Sequence, residues 1–439
     1  MPSDRRFVLV DGNNFYVSCE RLFRPALRHR PVVVLSNNDG CCVARSNEAK
    51  AMGIPMGTPY FQIRKAFEKA GGIALSSNYT LYADLSTRMM SVIGQYSDRQ
   101  EIYSIDESFL EWEGFRHFDA AKMATGLRRQ VERWVGIPVG IGIGETKTLA
   151  KLANRLAKKH PDFRTQGYCN LPDLHCSERQ RYLAETPIGE VWGIGRRWSK
   201  KLEALGIQNA LDLSLADPSR IRSTFNVVLE RTALELRGVV CLALEESPPP
   251  RQQIIASRSF GGLVTDLESL RQSVSTHAAR AAEKLREDGS RAHLLTVFLH
   301  TPPFNLKEPQ YHPQVTLRLK TPTRDTLILT QAALRGLETI YREGFRYQKA
   351  GVMLGEMTRE ARIQTDLFES AALPSQAERD RLLATMDHIN RAMGRNTLWT
   401  ASQGLTTKEQ AQGHWRMNRS HLSPAYTTRW NEIPQVMAR

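Results

Sequence analysis

YSIDESFLEW, residues 103–112, places two adjacent acids, Asp106 and Glu107, between two short apolar runs. Such flanks are typical of two strands that meet at an acidic corner. A third acid, Asp11, directly follows the apolar run Phe7–Val10, which predicts a buried strand. We therefore expect the three carboxylates to meet at one edge of a sheet.

Working outward, the same region predicts a mixture of strands and helices through about residue 185. The other predicted strands are Pro31–Leu35, Glu101–Ile105, Ser108–Trp112 and Val139–Ile143. The last of these alternates with glycine and leads into TKTLAKLANRLAKK, residues 146–159. Its leucines and alanines keep helical period, so we expect an amphipathic helix with its lysines on the opposite face.

Beyond residue 186 the chain predicts three further parts. Residues 187–238 are helical in pattern with a Gly-Ile-Gly break, and 247–251 (SPPPR) is a stiff linker by composition. A strand-helix-strand-strand-helix-strand order follows, the split βαβ arrangement. Its members are Gln253–Phe260, Leu270–Asp288, Ala292–Thr301, Val315–Lys320, Arg324–Glu343 and Tyr347–Gly355. The remainder is polar and irregular, apart from a predicted helix at Arg379–Ala392.

Composition bounds the class of protein. A length of 439 residues suggests about three domains, and 41% hydrophobic residues are enough to build their cores. The net charge of +14 points to a polyanionic partner, nucleic acid first and an anionic membrane second. Asp11 interrupts the first apolar run too early for a signal peptide, and no apolar stretch is long enough to span a membrane. The six cysteines form no CxxC pair, which predicts a reduced, cytosolic protein without structural zinc.

The acidic trio predicts metal chemistry. Clustered carboxylates repel one another unless cations neutralise them, and a few carboxylates with open positions suit Mg²⁺. Two such ions support nucleotidyl transfer. The structural alternative is that acids at strand ends are ordinary turn and capping groups, which spacing alone would favour.

Several longer motifs occur together and in order. They are FVLVDGNNFYVSCE (7–20), SNNDGCCVARSNEAKAMGI (36–54), SSNYTLYADLS (76–86), YSIDESFLEW and VGIGIGETKTLAKLANRLAKK (139–159). The series closely resembles the Y-family translesion DNA polymerases, within them the UmuC branch with its plasmid-borne relatives, and it continues to the end of the chain. The resemblance implies a multidomain α+β right hand with two Mg²⁺ ions. Its parts would be a palm (1–185, with small fingers at about 33–75), a thumb (186–245), a little finger (246–356) and a clamp-binding segment with an interaction tail (357–439).

The resemblance also implies roles at the nucleotide site. Asp11, Asp106 and Glu107 match the metal-binding carboxylates, and Gly12 matches a metal-binding backbone carbonyl. Tyr16 matches the aromatic gate beneath the sugar. Phe15 beside it is counted with the nucleotide-binding residues, although it is the better candidate for the core. The side chains matched to the triphosphate grip are Asn47, Lys50 and Lys158. Members outside this branch have Tyr and Arg in place of the first two, and the bland alternative for the lysines is a solvated helix face.

DNA contacts are expected in two places. The turn at Gly193 and Gly195 resembles a helix-hairpin-helix, in which glycines let backbone N–H groups approach a phosphate. Basic residues that would add attraction without reading sequence are Arg196, Arg197, Lys200, Arg258, Arg318 and Lys320. The last two lie on VTLRLK (315–320), whose strict alternation predicts one basic face.

The leading interpretation is thus an error-prone translesion DNA polymerase that acts in SOS mutagenesis in the bacterial cytoplasm, at the nucleoid. The resemblance implies primer-template DNA, dNTPs, a processed UmuD dimer and RecA as partners. Gln364, Leu367 and Phe368 resemble the peptide that docks on the sliding clamp. The tail aromatics Trp399, Trp415, Tyr426 and Trp430 are expected to be exposed partner anchors. The alternatives are a non-catalytic DNA-binding repair scaffold and a nucleotidyl cyclase.

Overall fold

The protein is seen in a computed structural model that describes residues 5–114, 117–247, 249–305, 307–359, 376–394, 396–404, 415 and 417–435. The chain divides into two compact units. Unit 1 comprises residues 1–36, 40–248 and 421–439, and unit 2 comprises 37–39 and 249–420.

Unit 1 mixes strands and helices along its length. Its strands are β1 (Arg6–Gly12), β2 (Val32–Leu35), β3 (Cys42–Arg45), β4 (Ile73–Ser76), β5 (Gln100–Ile102), β6 (Glu107–Trp112), β7 (Val139–Gly144) and β8 (Tyr168–Asn170). Its α-helices are α1 (Phe15–Phe23), α2 (Asn47–Ala51), α3 (Tyr60–Lys69), α4 (Tyr79–Ile93), α5 (Ala120–Val135), α6 (Lys147–Lys159), α7 (Pro161–Arg164), α8 (Cys176–Ala184), α9 (Arg196–Ala204), α10 (Ala210–Leu215), α11 (Pro218–Thr224) and α12 (Val227–Leu236). The predicted strand at Glu101–Ile105 is shorter than expected, because the chain already turns toward the acidic corner after Ile102.

The main sheet has the order β5-β6-β1-β7-β8, with β1 at its centre. Both neighbours of β1 run antiparallel to it. Val8 and Val10 pack into one buried cluster and Phe7 and Leu9 into another, so this strand is covered on both faces. A short run without alternation is what a doubly covered strand requires, and β1 therefore fixes the position of Asp11 firmly.

Helix α6 packs unusually close to β7. A Cβ added at Gly142 would lie 2.1 Å from the backbone N of Asn154 and 2.2 Å from the backbone O of Ala150. At Gly144 the added atom would lie 2.6 Å from the backbone N of Ala150. The alternating glycines of the predicted strand thus remove the side chains that would hold the helix away.

Two smaller parts complete unit 1. Strands β3-β2-β4 form a separate three-stranded sheet, with its own apolar cluster that includes Phe67 of α3. Helices α8 to α12 share a cluster with the apolar face of α6. The helical pattern predicted for residues 187–238 is confirmed.

Unit 2 has the predicted β-α-β-β-α-β order. Its elements are β9 (Ile254–Val264), α13 (Leu267–Glu287), β10 (Arg291–His300), β11 (Gln314–Thr323), α14 (Thr326–Ile340) and β12 (Tyr347–Thr358), followed by α15 (Gln376–Ala392). The strands form one sheet of order β11-β10-β12-β9, and α13 and α14 share its apolar cluster. Ion pairs hold α15 against this core: Arg286 donates to both oxygens of Asp387, and Arg324 donates to Asp380.

Helices able to cross a membrane are not found in the part of the chain that the structure describes, since none there is both long and apolar enough.

Candidate active site

The backbone brings the three predicted carboxylates to one end of the main sheet. Asp11 lies directly opposite Glu107 in the antiparallel register of β1 and β6. The next residue, Gly12, donates its backbone N–H to the carbonyl of Asp106 at 2.8 Å. The acidic corner predicted from sequence is therefore present in the described residues.

Positively charged and polar groups hold each carboxylate. Lys158 lies 2.5 Å from Asp11 Oδ1, and Lys151 donates to both oxygens of Glu107 at 2.7 and 2.8 Å. The Ser104 hydroxyl donates to Asp106 at 2.7 Å. Asp11 and Glu107 each point toward a lysine. Among the described residues the carboxylates therefore lie at one end of the sheet but are not grouped closely enough to hold a metal ion as they stand.

The electrostatics of Asp11 reflect this crowding. Burial raises its pKa to about 6, and the attraction of Lys158 offsets part of that rise. The nearby Glu107 and Asp106 raise the pKa further by repulsion. A second positive charge at this point would lower the pKa again, because opposite charges favour the ionised form.

The lysines of α6 lie on the face opposite its apolar residues, as predicted, and three of them turn toward acids and not toward solvent. Lys147 is buried and pairs with Glu101, while Lys151 and Lys158 reach back over the sheet. Their spacing of four and seven residues places all three on one side of the helix. The carboxylates of Glu101, Glu107 and Asp11 make that side of the helix the favourable one for positive charge.

Lys151 and Gly140 belong to the site but were missed from sequence. Lys151 lies over the ring of Tyr103 at 4.5 Å as well as against Glu107. A Cβ at Gly140 would lie 2.9 Å from Lys158 Cε, so glycine makes room for that lysine. Helical periodicity counted back from Lys158 would have identified Lys151, whereas the role of Gly140 needed the packing.

A cleft of about 730 Å³ opens beside the acids, and most residues assigned to the nucleotide line it. Those residues are Asp11, Gly12, Phe15, Tyr16, Asn47, Lys50, Asp106 and Lys158. Tyr16 is half-buried, and its ring stacks on Tyr82 with 4.4 Å between centroids. Phe15 is buried in the core, as expected, since it was the better core candidate of the pair Phe15 and Tyr16.

Asn47 and Lys50 come together through Asn14. Lys50 donates to the side-chain oxygen of Asn14 at 2.5 Å, and the Asn14 amide donates to Asn47 at 3.0 Å. Asn14 adopts a left-handed conformation with φ of 48°, which turns the chain sharply from β1 into α1. Burial lowers the pKa of Lys50, and the nearby Arg45 and Lys158 lower it further.

The residues proposed to contact DNA fall into two sets. In unit 1, Gly193, Gly195, Arg196, Arg197 and Lys200 are all exposed, at a turn that leads into α9. Gly193 has φ of 85°, a conformation that favours glycine.

In unit 2, the structure separates the three predicted basic residues. Arg318 and Lys320 are exposed on β11, as the alternation predicted. Arg258 pairs in register with the buried Ala350, and partners in register share a face. It therefore lies on the helix-covered side near His277 but remains exposed, and partial burial together with Arg419 lowers the pKa of Arg258.

The clamp-like residues Gln364, Leu367 and Phe368 lie outside the described residues. Of the tail aromatics, Trp430 is exposed as expected and Trp399 is partly so. The expectation is wrong for Trp415, which packs partly buried against the core of unit 2, and for Tyr426, which is 7% exposed and belongs to the core of unit 1. The Tyr426 ring stacks on Phe23 with 4.8 Å between centroids, which a count of tail aliphatics could not reveal.

Comparison with family profiles gives four matches along the chain. Residues 10–155 match the impB/mucB/samB family and residues 251–367 match the C-terminal domain of that family. Residues 177–207 match the helix-hairpin-helix motif of the same family. Residues 380–436 match a domain of unknown function.

Individual proteins resemble the chain over nearly its whole length. It is 47% identical to Protein UmuC of Salmonella typhimurium over 98% of this chain and 100% of that protein. It is 45% identical to Protein MucB of Escherichia coli over 98% and 99% of the two chains. DNA polymerase IV of Dehalococcoides mccartyi is 26% identical over 91% of this chain and 97% of its own.

Among solved structures, the fold is similar to a Y-family DNA polymerase chimera, Dbh-Dpo4(243-245)-Dbh. The TM-score is 0.62 at 20% identity, over 80% of this chain and 98% of that chain. The insertion ternary complex of Dbh DNA polymerase has a TM-score of 0.50 over the same shares of the two chains. These likenesses confirm the predicted fold class.

Proposed function

The chain belongs to the impB/mucB/samB family and is a UmuC-like Y-family DNA polymerase, and on that premise we propose that it performs error-prone synthesis across damaged template in SOS mutagenesis. Family membership removes the alternatives of a non-catalytic scaffold and a nucleotidyl cyclase. The observation that carries the proposal is the pairing of Asp11 with Glu107 at the rim of the cleft lined by Tyr16 and Lys158.

The acidic corner fits divalent metal. Its donors are hard oxygens, and the raised pKa of Asp11 reflects burial and repulsion from two other acids that added positive charge would relieve. Asp11, Asp106, Glu107 and the Gly12 carbonyl would hold two Mg²⁺ ions. Such ions supply activation of the primer hydroxyl and neutralise charge on the leaving pyrophosphate.

The chain's own residues bind and orient the nucleotide in this proposal. Lys50 and Lys158 face the cleft, and their crowding with Arg45 makes the site attractive to a triphosphate. Lys158 would bind phosphate oxygens in place of its carboxylate partner, and Asp11 would then be available to hold metal. The Tyr16 ring lies beneath the sugar and leaves no room for a 2′-hydroxyl. Asn47 holds the Asn14–Lys50 pair in place.

The DNA and protein partners are part of the same proposal. Primer-template DNA is held by the exposed turn at Gly193 and Gly195, with Arg196, Arg197 and Lys200, and by Arg318 and Lys320. Domain boundaries follow the palm, thumb, little finger and tail given above. A processed UmuD dimer, RecA and the sliding clamp act with the enzyme in the cytoplasm, at the nucleoid.

Primer extension by Asp106→Ala tests the catalytic assignment. We expect Mg²⁺-dependent extension to fall by at least about a thousandfold, the scale on which losing a key catalytic group acts, while DNA binding stays unchanged. The matched control is Asp84→Asn, which removes a surface carboxylate paired with Arg88 at 2.9 Å. Robust extension by Asp106→Ala, free of contaminating polymerase, would contradict the assignment.

A further inference from the structure

Residues 421–426, which we call the strap, pack against unit 1 beside β4. Ser76 donates its backbone N–H to the carbonyl of His421 at 2.9 Å, and the backbone N–H of His421 donates to the Ser76 hydroxyl at 3.0 Å. Leu422 pairs with Ser76 in a parallel bridge. The strap therefore begins as a short addition to the edge of the small sheet.

Ser423 is the buried centre of the strap. The Asn78 amide donates to the Ser423 hydroxyl at 2.9 Å and to the carbonyl of Pro424 at 3.2 Å. The Ser423 hydroxyl in turn donates to Glu20 Oε1 at 3.0 Å. Because Ser423 is buried, these bonds are shielded from competing water.

Glu20 is a fully buried carboxylate in the middle of α1. Its Oε1 also accepts a hydrogen bond from the Tyr82 hydroxyl at 2.8 Å, while Oε2 has no partner among the described residues. A buried carboxylate depends on its few donors, since water cannot replace a lost one. Ser423 therefore supplies one of the two bonds that fix this group.

Tyr82 carries the connection to the cleft. Its ring lies flat against Tyr16, with centroids 4.4 Å apart and planes 14° apart. The hydroxyl bond to Glu20 fixes how far the Tyr82 ring can shift along that stack. A path of direct contacts thus runs from Ser423 through Glu20 and Tyr82 to the ring that faces the nucleotide.

The strap contacts α1 at a second point. Tyr426 stacks on Phe23, the last residue of α1, with planes 6° apart. Tyr16 lies in the first turn of the same helix and Glu20 in its middle. Anchors at Glu20 and Phe23 hold the helix from which the Tyr16 ring projects.

We propose that the strap positions the Tyr16 ring, so that the C-terminal tail of this chain takes part in excluding ribonucleotides. The proposal rests on the proposed role of Tyr16 beneath the sugar. Ser423, Glu20 and Tyr82 are positioning residues, because they act through Tyr16 and do not touch the nucleotide. The proposal gives the strap, which lies within the segment matched by the domain of unknown function, a role in the enzyme itself.

The test compares kcat/KM for a dNTP and the matching rNTP on the full-length chain. Ser423→Ala removes one hydrogen bond to Glu20, and we expect the dNTP:rNTP ratio to fall about threefold to tenfold, the range that a single hydrogen bond supports. Tyr82→Phe keeps the stacked ring and breaks the same path, so it should give a similar fall. Ser423→Thr keeps the hydroxyl and should leave the dNTP:rNTP ratio at its original value. The control is Thr428→Ala, which removes an exposed hydroxyl nearby.

A purely structural role for the strap predicts a different result. It would lower kcat/KM for both nucleotides equally and leave their ratio unchanged, which would overturn the proposal. Combining Ser423→Ala with Tyr16→Ala should give no further fall, because the ring that the strap positions is already gone. A Tyr16→Ala chain with unchanged selection would instead refute the gate itself. Tyr82→Phe decides the matter if Ser423→Ala does not fold.

Discussion

At the scale of single residues, Lys158 connects the acids with the cleft beside them. It is ion-paired to Asp11 and lines the cleft. Replacing it with Met keeps the length of the side chain and removes its charge. Since a hydrogen bond to a charged group contributes about 1.5–3 kcal/mol, we expect the KM for dNTPs to rise about 10-fold to 100-fold.

Steady-state kinetics on Lys158→Met would measure this effect against a control. Lys122→Met is suitable, because Lys122 is 87% exposed on α5. An unchanged KM for Lys158→Met would show that this lysine serves only to neutralise Asp11.

Residue-level prediction reached the residues that stand in recognisable motifs and missed those that only packing brings together. Asp11, Asp106 and Tyr16 were named from such motifs and line one cleft, while their roles toward metal and sugar stay predictions. Glu20 and Ser423 could not be paired in this way, since they are 403 positions apart and meet only in the folded chain. Glu20 even ends the motif that holds Asp11 and Tyr16, but nothing in the sequence indicates that Ser423 would bind it.

At the scale of elements, the close packing of α6 on β7 sets where its lysines lie. Gly142→Ala would push a Cβ against the backbone of the helix, which cannot move aside as a side chain can. We expect the free energy of unfolding to fall by about 3 kcal/mol, the upper range for overpacking a core. Urea unfolding of the full-length chain would measure the change.

Gly195→Ala is the control for that measurement. An added Cβ there meets nothing within 4 Å, so the loss should stay below about 1 kcal/mol, the scale of a changed helix N-cap. Equal losses in the two variants would mean that β7 and α6 can separate at little cost.

The order of the elements was largely predictable, and their packing was not. Short apolar runs, period-two alternation and helical patterns together located β1, β6, β7 and the six elements of the βαββαβ part. The α6 lysines lie opposite the apolar face as predicted, but amphipathicity could not show that acids lie close to this polar side.

At the scale of the whole molecule, the strap changes what a truncation can show. If the tail served only to bind partners, a chain ending near Ala371 would keep basal activity and lose its regulatory partners. That cut would also remove Tyr426 from the core of unit 1 and Ser423 from Glu20. Trp430 is 91% exposed, so replacing it should affect partner binding without disturbing the contacts of the strap with unit 1. Such point changes distinguish the two roles of the tail, which a truncation removes together.

Recruitment to DNA is the remaining whole-molecule property, and the segment Gln364–Phe368 is proposed to provide it. A tether to the sliding clamp raises the local concentration of the enzyme, which makes brief contacts with DNA productive. Leu367 and Phe368 would fill an apolar pocket as an extended peptide, with Gln364 hydrogen-bonded at its rim. The alternative is a hydrophobic latch that folds back on unit 2.

Replacing both Leu367 and Phe368 with Ala distinguishes these two roles. We expect extension on bare primers to stay unchanged and its stimulation by the clamp to disappear, because only the docked state uses these side chains. Phe304→Ala is the control, since that ring is 96% exposed in another loop and should leave clamp stimulation intact. Clamp stimulation that survives the double change would contradict docking. A joint fall in bare-primer activity and solubility would instead identify the latch, because apolar side chains that cover a core stabilise the fold whether or not a clamp is present.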